Sequence, residues 1–353
     1  MTISGSPRVL FQSHNRRGLG HLMRALNVAR EIRNLAPEAR IVLHTRNPST
    51  AQFCPPDVEW VIDAGSGCDW ASTVRAVDPD VVVYDTLIPD DAGLGVVPRA
   101  ARVAYVMRRS TDERHRAVLE SRFLDRVDIV VVPHDREEFD RPVPADVAGR
   151  LVFVGPIVRS SDPVRVERLR RQYRLGSAQH TIVSCAGGGG FAETAEPFFD
   201  AVWDAHERLA RSVQGLHHIV VLGPHNADHR TPRRGMRLVD SEPHLVDLFA
   251  LADLVVSEGG YNAVHEIRHV GVPGCFVPGR RRWDDQDHRV RALQEQGLAV
   301  VIDPGEPSAM GAQIAALACS RERLDSLRRR TREVPVEPGN QRAAQAILGH
   351  LAA

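Results

Sequence analysis

The feature that most constrains this chain is a rhythm: short β-branched apolar runs separated by helix-like stretches. The runs "RVLFQ", "RIVLHT", "VEWVID", "DVVVYD", "RVAYVM", "DIVVVP" and "LVFVG" fill the first half. Continuous Val/Ile/Leu runs of this length, bounded by polar turns, read as strands covered on both faces, which is the environment of a parallel sheet. After "VGPIVRSSDPVRV" the pattern restarts with "TIVSC", "HIVVLG", "MRLVD", "DLVVS", "GCFVP" and "LAVVID". The chain therefore reads as an α/β protein with two doubly wound domains, 1–157 and 158–335, with the linker near 155 to 170. The tail "GNQRAAQAILGHLAA" carries an apolar stripe through Ala343, Ala344, Ile347 and Leu351, which predicts a helix over 336–353 packing back on the domains.

Composition removes several function classes. All 45 basic residues are arginine and none is lysine, so a Walker-A lysine and a pyridoxal Schiff base are excluded. Acidic residues also number 45, giving a formal net charge of zero and no global field that favours nucleic acid or an anionic membrane. The five cysteines, Cys54, Cys68, Cys185, Cys275 and Cys319, are scattered and read as free thiols in a reducing cytosol. The start "MTISGSPRVLF" has no secretory pattern, and no run approaches the length of a spanning helix. A soluble, cytoplasmic protein with no stable membrane insertion is the expectation.

In open α/β sheets, ligands sit beyond the carboxyl ends of the strands. Three glycine-bearing corners fall there: Gly18 and Gly20 after the first strand, Gly187, Gly188, Gly189 and Gly190 after "TIVSCA", and Gly259 with Gly260 after "DLVVSE". Each offers backbone N–H groups and the positive end of a helix dipole to an anion, or is a tight turn only. Two corners in the second half could grip both phosphates of a diphosphate. A nicotinamide fingerprint fits poorly, because "GLGHLM" has Met23 at the third glycine position and no acidic residue ends the next strand.

His21 stands at the first turn of a helix, where the dipole disfavours imidazolium and favours the neutral ring that a general base requires. The plainer reading is a helix-start residue bonded to a loop. Asp85 closes "DVVVYD" and should emerge at the same sheet edge, where a carboxylate would fix the tautomer of the ring; it could equally cap the next turn. Arg24, one turn beyond His21, is either an anion contact or surface charge.

The segments "GLGHLMRAL" and "SEGGYNAVHEIRHVGVPGCFVPGRRRWDDQDHRVRALQEQGLAVVID" resemble the GT-B glycosyltransferases related to MurG, and within them a bacterial branch with a G-x-G-H-x-x-R corner. The resemblance implies a GT-B fold of two Rossmann-like domains facing across a cleft, the donor nucleotide-sugar in the second and the acceptor mainly in the first. Glu266 falls where the family binds the donor ribose, and Gly187 to Gly190 with Ser257, Gly259, Gly260, Tyr261 and Asn262 match the donor loops. Where relatives carry an acidic-or-Gln, Gln pair this chain has Asp287 and His288, unless Asp285-Gln286 takes that role. The implied reaction is inverting transfer, with His21 as base, to a hydroxyl or amine of a small molecule. UDP is the favoured nucleotide, with no further cofactor and no metal. A nucleotide-sugar hydrolase or 2-epimerase, and a non-catalytic sugar-nucleotide-binding subunit, are the alternatives.

Two further signals stay local. The pairs Asp90-Asp91 and Asp284-Asp285 and the spaced Asp78-Pro79-Asp80 could suggest a metal-binding D-x-D, but Asp78 and Asp80 precede a strand, on the edge opposite the expected ligands, and read as turn chemistry; His217-His218 start a strand, the sixteen histidines show no H-E-x-x-H spacing, and no structural metal is expected. The run "GRRRWDDQDH" is either an arginine-rich loop near the diphosphate or an exposed charged loop over Trp283.

Overall fold

The computed structural model describes residues 6–63, 69–176, 180–226 and 230–349. Cys68 and Leu351 lie outside them. The chain divides into two compact units, 1–158 with 337–353, and 159–336.

The first unit is built on seven parallel strands: β1 (Arg8–Ser13), β2 (Arg40–Thr45), β3 (Glu59–Ile62), β4 (Val81–Asp85), β5 (Arg102–Val106), β6 (Ile129–Val132) and β7 (Leu151–Phe153). Their spatial order is β3-β2-β1-β4-β5-β6-β7. Val81, Val82, Val83 and Tyr84 are all fully buried, as a strand covered on both faces must be. On one face, Val9, Phe11 and Val83 pack with Leu22, Val28 and Ile32 of the helix Gly20–Leu35. On the other, Leu10 and Val42 meet Val74 and Val77 of the helix Trp70–Val77.

The second unit repeats the plan with β8 (His180–Cys185), β9 (Leu216–Val221), β10 (Met236–Val239), β11 (Leu254–Ser257), β12 (Gly274–Phe276) and β13 (Val300–Val301), ordered β10-β9-β8-β11-β12-β13. The central strands β8 and β11 run parallel in register, Leu254 opposite Ile182 and Ser257 opposite Cys185. Their carboxyl ends, and the turns that follow, therefore lie side by side. Among the described residues no helix is long and apolar enough to cross a membrane, and Cys54, Cys185, Cys275 and Cys319 are unpaired.

The tail helix, Asn340–Leu348, returns to the first unit, where Ala343, Ala344 and Ile347 are fully buried in the core shared by β1 and the helix Gly20–Leu35. Asn340 fastens it: its side-chain oxygen accepts from the Val158 N–H at 3.0 Å and its amide donates to the Val158 carbonyl at 2.7 Å. Gly339 is required beside it, because a Cβ there would fall 2.1 Å from the Val154 carbonyl oxygen.

Asn340→Ala strands a buried donor and a buried acceptor, which costs on the order of 2–4 kcal/mol. A urea titration followed by tryptophan fluorescence should show the transition of the first unit at a clearly lower midpoint; an unchanged midpoint would refute the role given to Asn340.

Candidate active site

In the first unit the site grows from the adjacency of β1 and β4, paired in parallel from Val9–Val81 to Gln12–Tyr84. The loop leaving β1 is shaped by Asn15, whose side-chain oxygen accepts from the N–H groups of Arg17 and Gly18. Asn47 in turn donates to the Gly18 carbonyl at 3.1 Å. Gly20 opens the helix, and a Cβ there would meet nothing within 4 Å. His21 and Arg24, three residues apart, share one helical face, and that face looks onto the end of β4.

Arg24 and Asp85 form a buried ion pair. Nε and Nη2 of Arg24 donate to Oδ1 of Asp85 at 3.1 and 2.7 Å, and the side chains are 2% and 3% exposed. Arg24 is thus not surface charge: its guanidinium is spent on Asp85. Burial pushes the Asp85 carboxyl upward, but Arg24, then His21, outweigh it and hold the group below the usual carboxylate range.

His21 remains partly exposed beside this pair. Its Nδ1 lies 3.0 Å from Thr86 Oγ1, 3.4 Å from Asp85 Oδ2 and 3.4 Å from Arg24 Nη2. With the proton on Nδ1 the ring donates to Thr86 Oγ1 and turns that N–H toward the Asp85 carboxylate. Nε2 then keeps its lone pair.

Thr86 is the residue that sequence reading passed over. Its φ of 55° is left-handed, which is costly for a β-branched side chain. The conformation is imposed by its N–H, which donates to the Val106 carbonyl at 3.1 Å, and by its carbonyl, which accepts from Arg114 at 2.7 Å. The strain aims the hydroxyl at His21. A threonine directly after the strand-ending Asp85 was the one available signal.

The second unit brings its glycine corners together. Gly187 and Gly189 have φ of 62° and 71°, and a Cβ on Gly189 would sit 2.5 Å from the Leu222 carbonyl oxygen. Gly223, at φ 94°, is the counterpart that sequence reading missed: a Cβ there would strike Gly188 at 2.5 Å. Gly259, φ 90°, abuts Val290, so only glycine permits that approach. The helices Ala192–Ser212 and Tyr261–His269 start at these corners, and neither start has a side-chain cap. Both present the ends of helix dipoles and backbone N–H groups, as anion sites require.

Glu258, inside the motif "SEGG" but not singled out from it, links the corners. Its Oε2 accepts from Arg281 Nη2 at 2.7 Å, while Arg281 Nη1 donates to Thr194 Oγ1 at 2.6 Å and its guanidinium lies 4.2 Å over the Phe191 ring. Burial raises the Glu258 carboxyl in spite of Arg281. The arginine run is therefore part structural tie, through Arg281, and part exposed, with Arg282 over Trp283.

Of the two alternatives for the donor-side pair, the structure turns one outward and one inward. Asp287 and His288 are exposed, and Asp287 pairs with Arg291 one turn on. Gln286 is buried instead, its side-chain oxygen accepting from the Gly279 N–H at 3.0 Å, with its amide nitrogen 4.0 Å from where a Cβ on Gly260 would lie. The helix Gln286–Glu295 begins with Asp285 as its cap, so Gln286 turns inward and the next two residues turn out. The pairing Asp285-Gln286, one step earlier, is the one that meets the loop.

Glu266 lies buried on the helix Tyr261–His269, where its Oε1 accepts from the Arg159 N–H at 3.4 Å. Burial, only partly offset by Arg159, pushes its carboxyl up to about 7. Asp80, by contrast, belongs to a turn: it accepts from the Arg8 N–H and guanidinium at the amino end of β1, away from both sites.

With this geometry in view, the similarities acquire residues. Positions 185–335 match the glycosyltransferase family 28 C-terminal domain. The chain is 25% identical over 237 residues to a UDP-N-acetylglucosamine–N-acetylmuramyl-(pentapeptide) pyrophosphoryl-undecaprenol N-acetylglucosamine transferase of Acetivibrio thermocellus, covering 64% of this chain and 61% of that protein. It is 28% identical over 289 residues to the enzyme of the same name from Mycolicibacterium paratuberculosis, covering 78% and 67%. In fold it is similar to the glycosyltransferase of kitacinnamycin, with TM-score 0.64, 19% identity and coverage of 99% and 100%, and to spinosyn forosaminyltransferase, with TM-score 0.63, 15% identity and coverage of 99% and 100%. The fold is GT-B, and the chain is MurG-like.

Two outcomes test this geometry. Arg24→Met leaves Asp85 buried without its cation and should cost about 3–5 kcal/mol, read as a large fall in melting temperature. Glu266 binds its proton more tightly folded than unfolded, so its stabilising contribution is full below pH 4.5 and lost as pH rises through about 7. Glu266→Gln should therefore gain stability relative to wild type at pH 8 compared with pH 4; parallel pH profiles would refute the assignment.

Proposed function

We propose that this MurG-like, GT-B chain is an inverting glycosyltransferase that moves a sugar from a nucleotide diphosphate sugar to a hydroxyl or amine of a small-molecule acceptor, in cell-envelope synthesis or specialised metabolism. The observation that carries the reading is the strained Thr86, which with Asp85 holds Nδ1 of His21 and leaves Nε2 as a base. In the reaction the acceptor oxygen or nitrogen bonds to the anomeric carbon as the carbon–oxygen bond to the diphosphate breaks, and the acceptor proton passes to Nε2. Asp85 then faces the imidazolium that forms.

The donor belongs to the second unit. The turns at Gly187–Gly189 and Gly259–Gly260, each at an uncapped helix start, supply N–H groups to the diphosphate. Glu266, with its proton affinity raised by burial, suits hydrogen bonding to ribose hydroxyls. UDP is favoured because both relatives above carry UDP in their names.

The test is a thermal-shift panel of UDP, GDP, dTDP and ADP, followed by turnover of the stabilising nucleotide's sugars. UDP at a hundred times its Kd should add about 2.7 kcal/mol to wild type and much less to Glu266→Ala. His21→Ala should keep the nucleotide effect and lose about 10²–10⁴-fold in kcat. If no nucleoside diphosphate stabilises the protein, the donor assignment fails; if His21→Ala turns over normally, the base assignment fails.

A further inference from the structure

We infer that His14, His44 and Asp63 form a site for a divalent transition-metal ion on the first unit, sharing no residue with the His21 group. The three strands β1, β2 and β3 are parallel neighbours. His14 follows β1, His44 is the penultimate residue of β2 and Asp63 follows β3, so the sheet delivers all three to one edge. One donor atom from each lies within 4.8 Å of the other two.

The hydrogen bonds around His44 prepare it as a ligand. Its Nδ1 is 3.0 Å from Thr73 Oγ1, and the Thr73 hydroxyl donates to the Asp69 carbonyl at 3.2 Å. Thr73 can therefore only accept from His44, which puts the imidazole proton on Nδ1 and a lone pair on Nε2. That Nε2 is buried with no hydrogen-bond partner, and so is Nε2 of His14. Two buried imidazole nitrogens without partners beside a carboxylate are expensive unless something accepts a lone pair from each, His14 in its Nδ1–H form. A metal ion does so, and the ring N–H donated to an outer oxygen is how ligating histidines are usually held.

The remaining contacts fit the same reading. Asp63 Oδ2 accepts from Arg46 Nε at 2.9 Å, which orients the carboxylate. Trp70 packs edge-on against the His44 ring at 5.3 Å and fixes its plane. Two imidazoles and one carboxylate suit Zn²⁺ or Co²⁺ with a fourth position for water. Bonds of about 2.1 Å at tetrahedral angles put ligand atoms about 3.4 Å apart. The cluster must close by up to about 1.4 Å, within reach of side-chain rotation at His14 and Asp63, both less buried than His44.

The experiment uses the full chain without an affinity tag, stripped by chelator and dialysed. Zn²⁺ is titrated by calorimetry, and Co²⁺ is followed by its visible absorption. Wild type should take up one equivalent that His14→Gln and Asp63→Asn both lose, with the Co²⁺ band absent in both. Thr73→Val should keep the three ligands but bind about 10–100-fold more weakly, and Thr73→Ser should restore affinity. Melting curves in chelator establish that each variant folds. Wild type that takes up no ion, or variants that bind the same equivalent with unchanged affinity, overturns the inference without touching the glycosyl-transfer reading.

Discussion

The first unit's site depends on one buried ion pair. Asp85 ends the central strand β4 in a place where water cannot stabilise its charge, and Arg24 is the residue that makes this tolerable. The pair locks the helix Gly20–Leu35 to β4 at a fixed rotation, because Arg24 must reach Asp85 from one face of that helix. His21, three residues earlier on the same face, then arrives beside the carboxylate and Thr86. The charge pair thus acts chiefly as a positioning device.

The fold was largely legible. Among the described residues all thirteen strands overlap the apolar runs, and the central ones, such as β4 and β6, are buried on both faces and cannot hide their composition. The placement of candidate residues was legible where one sits at a strand's carboxyl end or a glycine turn, as His21, Asp85 and Gly259 do. It was illegible where the determining fact is a side chain's direction. Arg24 stood open between anion contact and surface charge because sequence does not show that its helical face is buried. Between Asp287-His288 and Asp285-Gln286 the sequence could not choose, because which residues of the next helix turn inward depends on the cap at Asp285. Thr86 was missed because its part depends on a backbone angle, and Gly223 because its partner turn lies more than thirty residues earlier.

Metal-ligand spacing is visible in a sequence when one helix or one hairpin supplies several donors. His14, His44 and Asp63 come from three successive strand ends, and the intervals between them are set by the lengths of helices that have nothing to do with coordination. A parallel sheet can assemble a cluster at its edge from residues with no common periodicity. The same property brings His21 to Asp85 across an interval of more than sixty residues.

The return of the helix Asn340–Leu348 to the first unit bears on how the protein is made. The core around β1 is closed by Ala343, Ala344 and Ile347, so the unit that begins the chain waits for residues near its far end. The second unit, contiguous from 159 to 336, has all its strands in hand before that helix leaves the ribosome. Vectorial synthesis therefore favours completion of the later unit first. Until then the earlier one exposes the apolar groove into which its last helix will fit, and an interrupted translation product would carry that groove open.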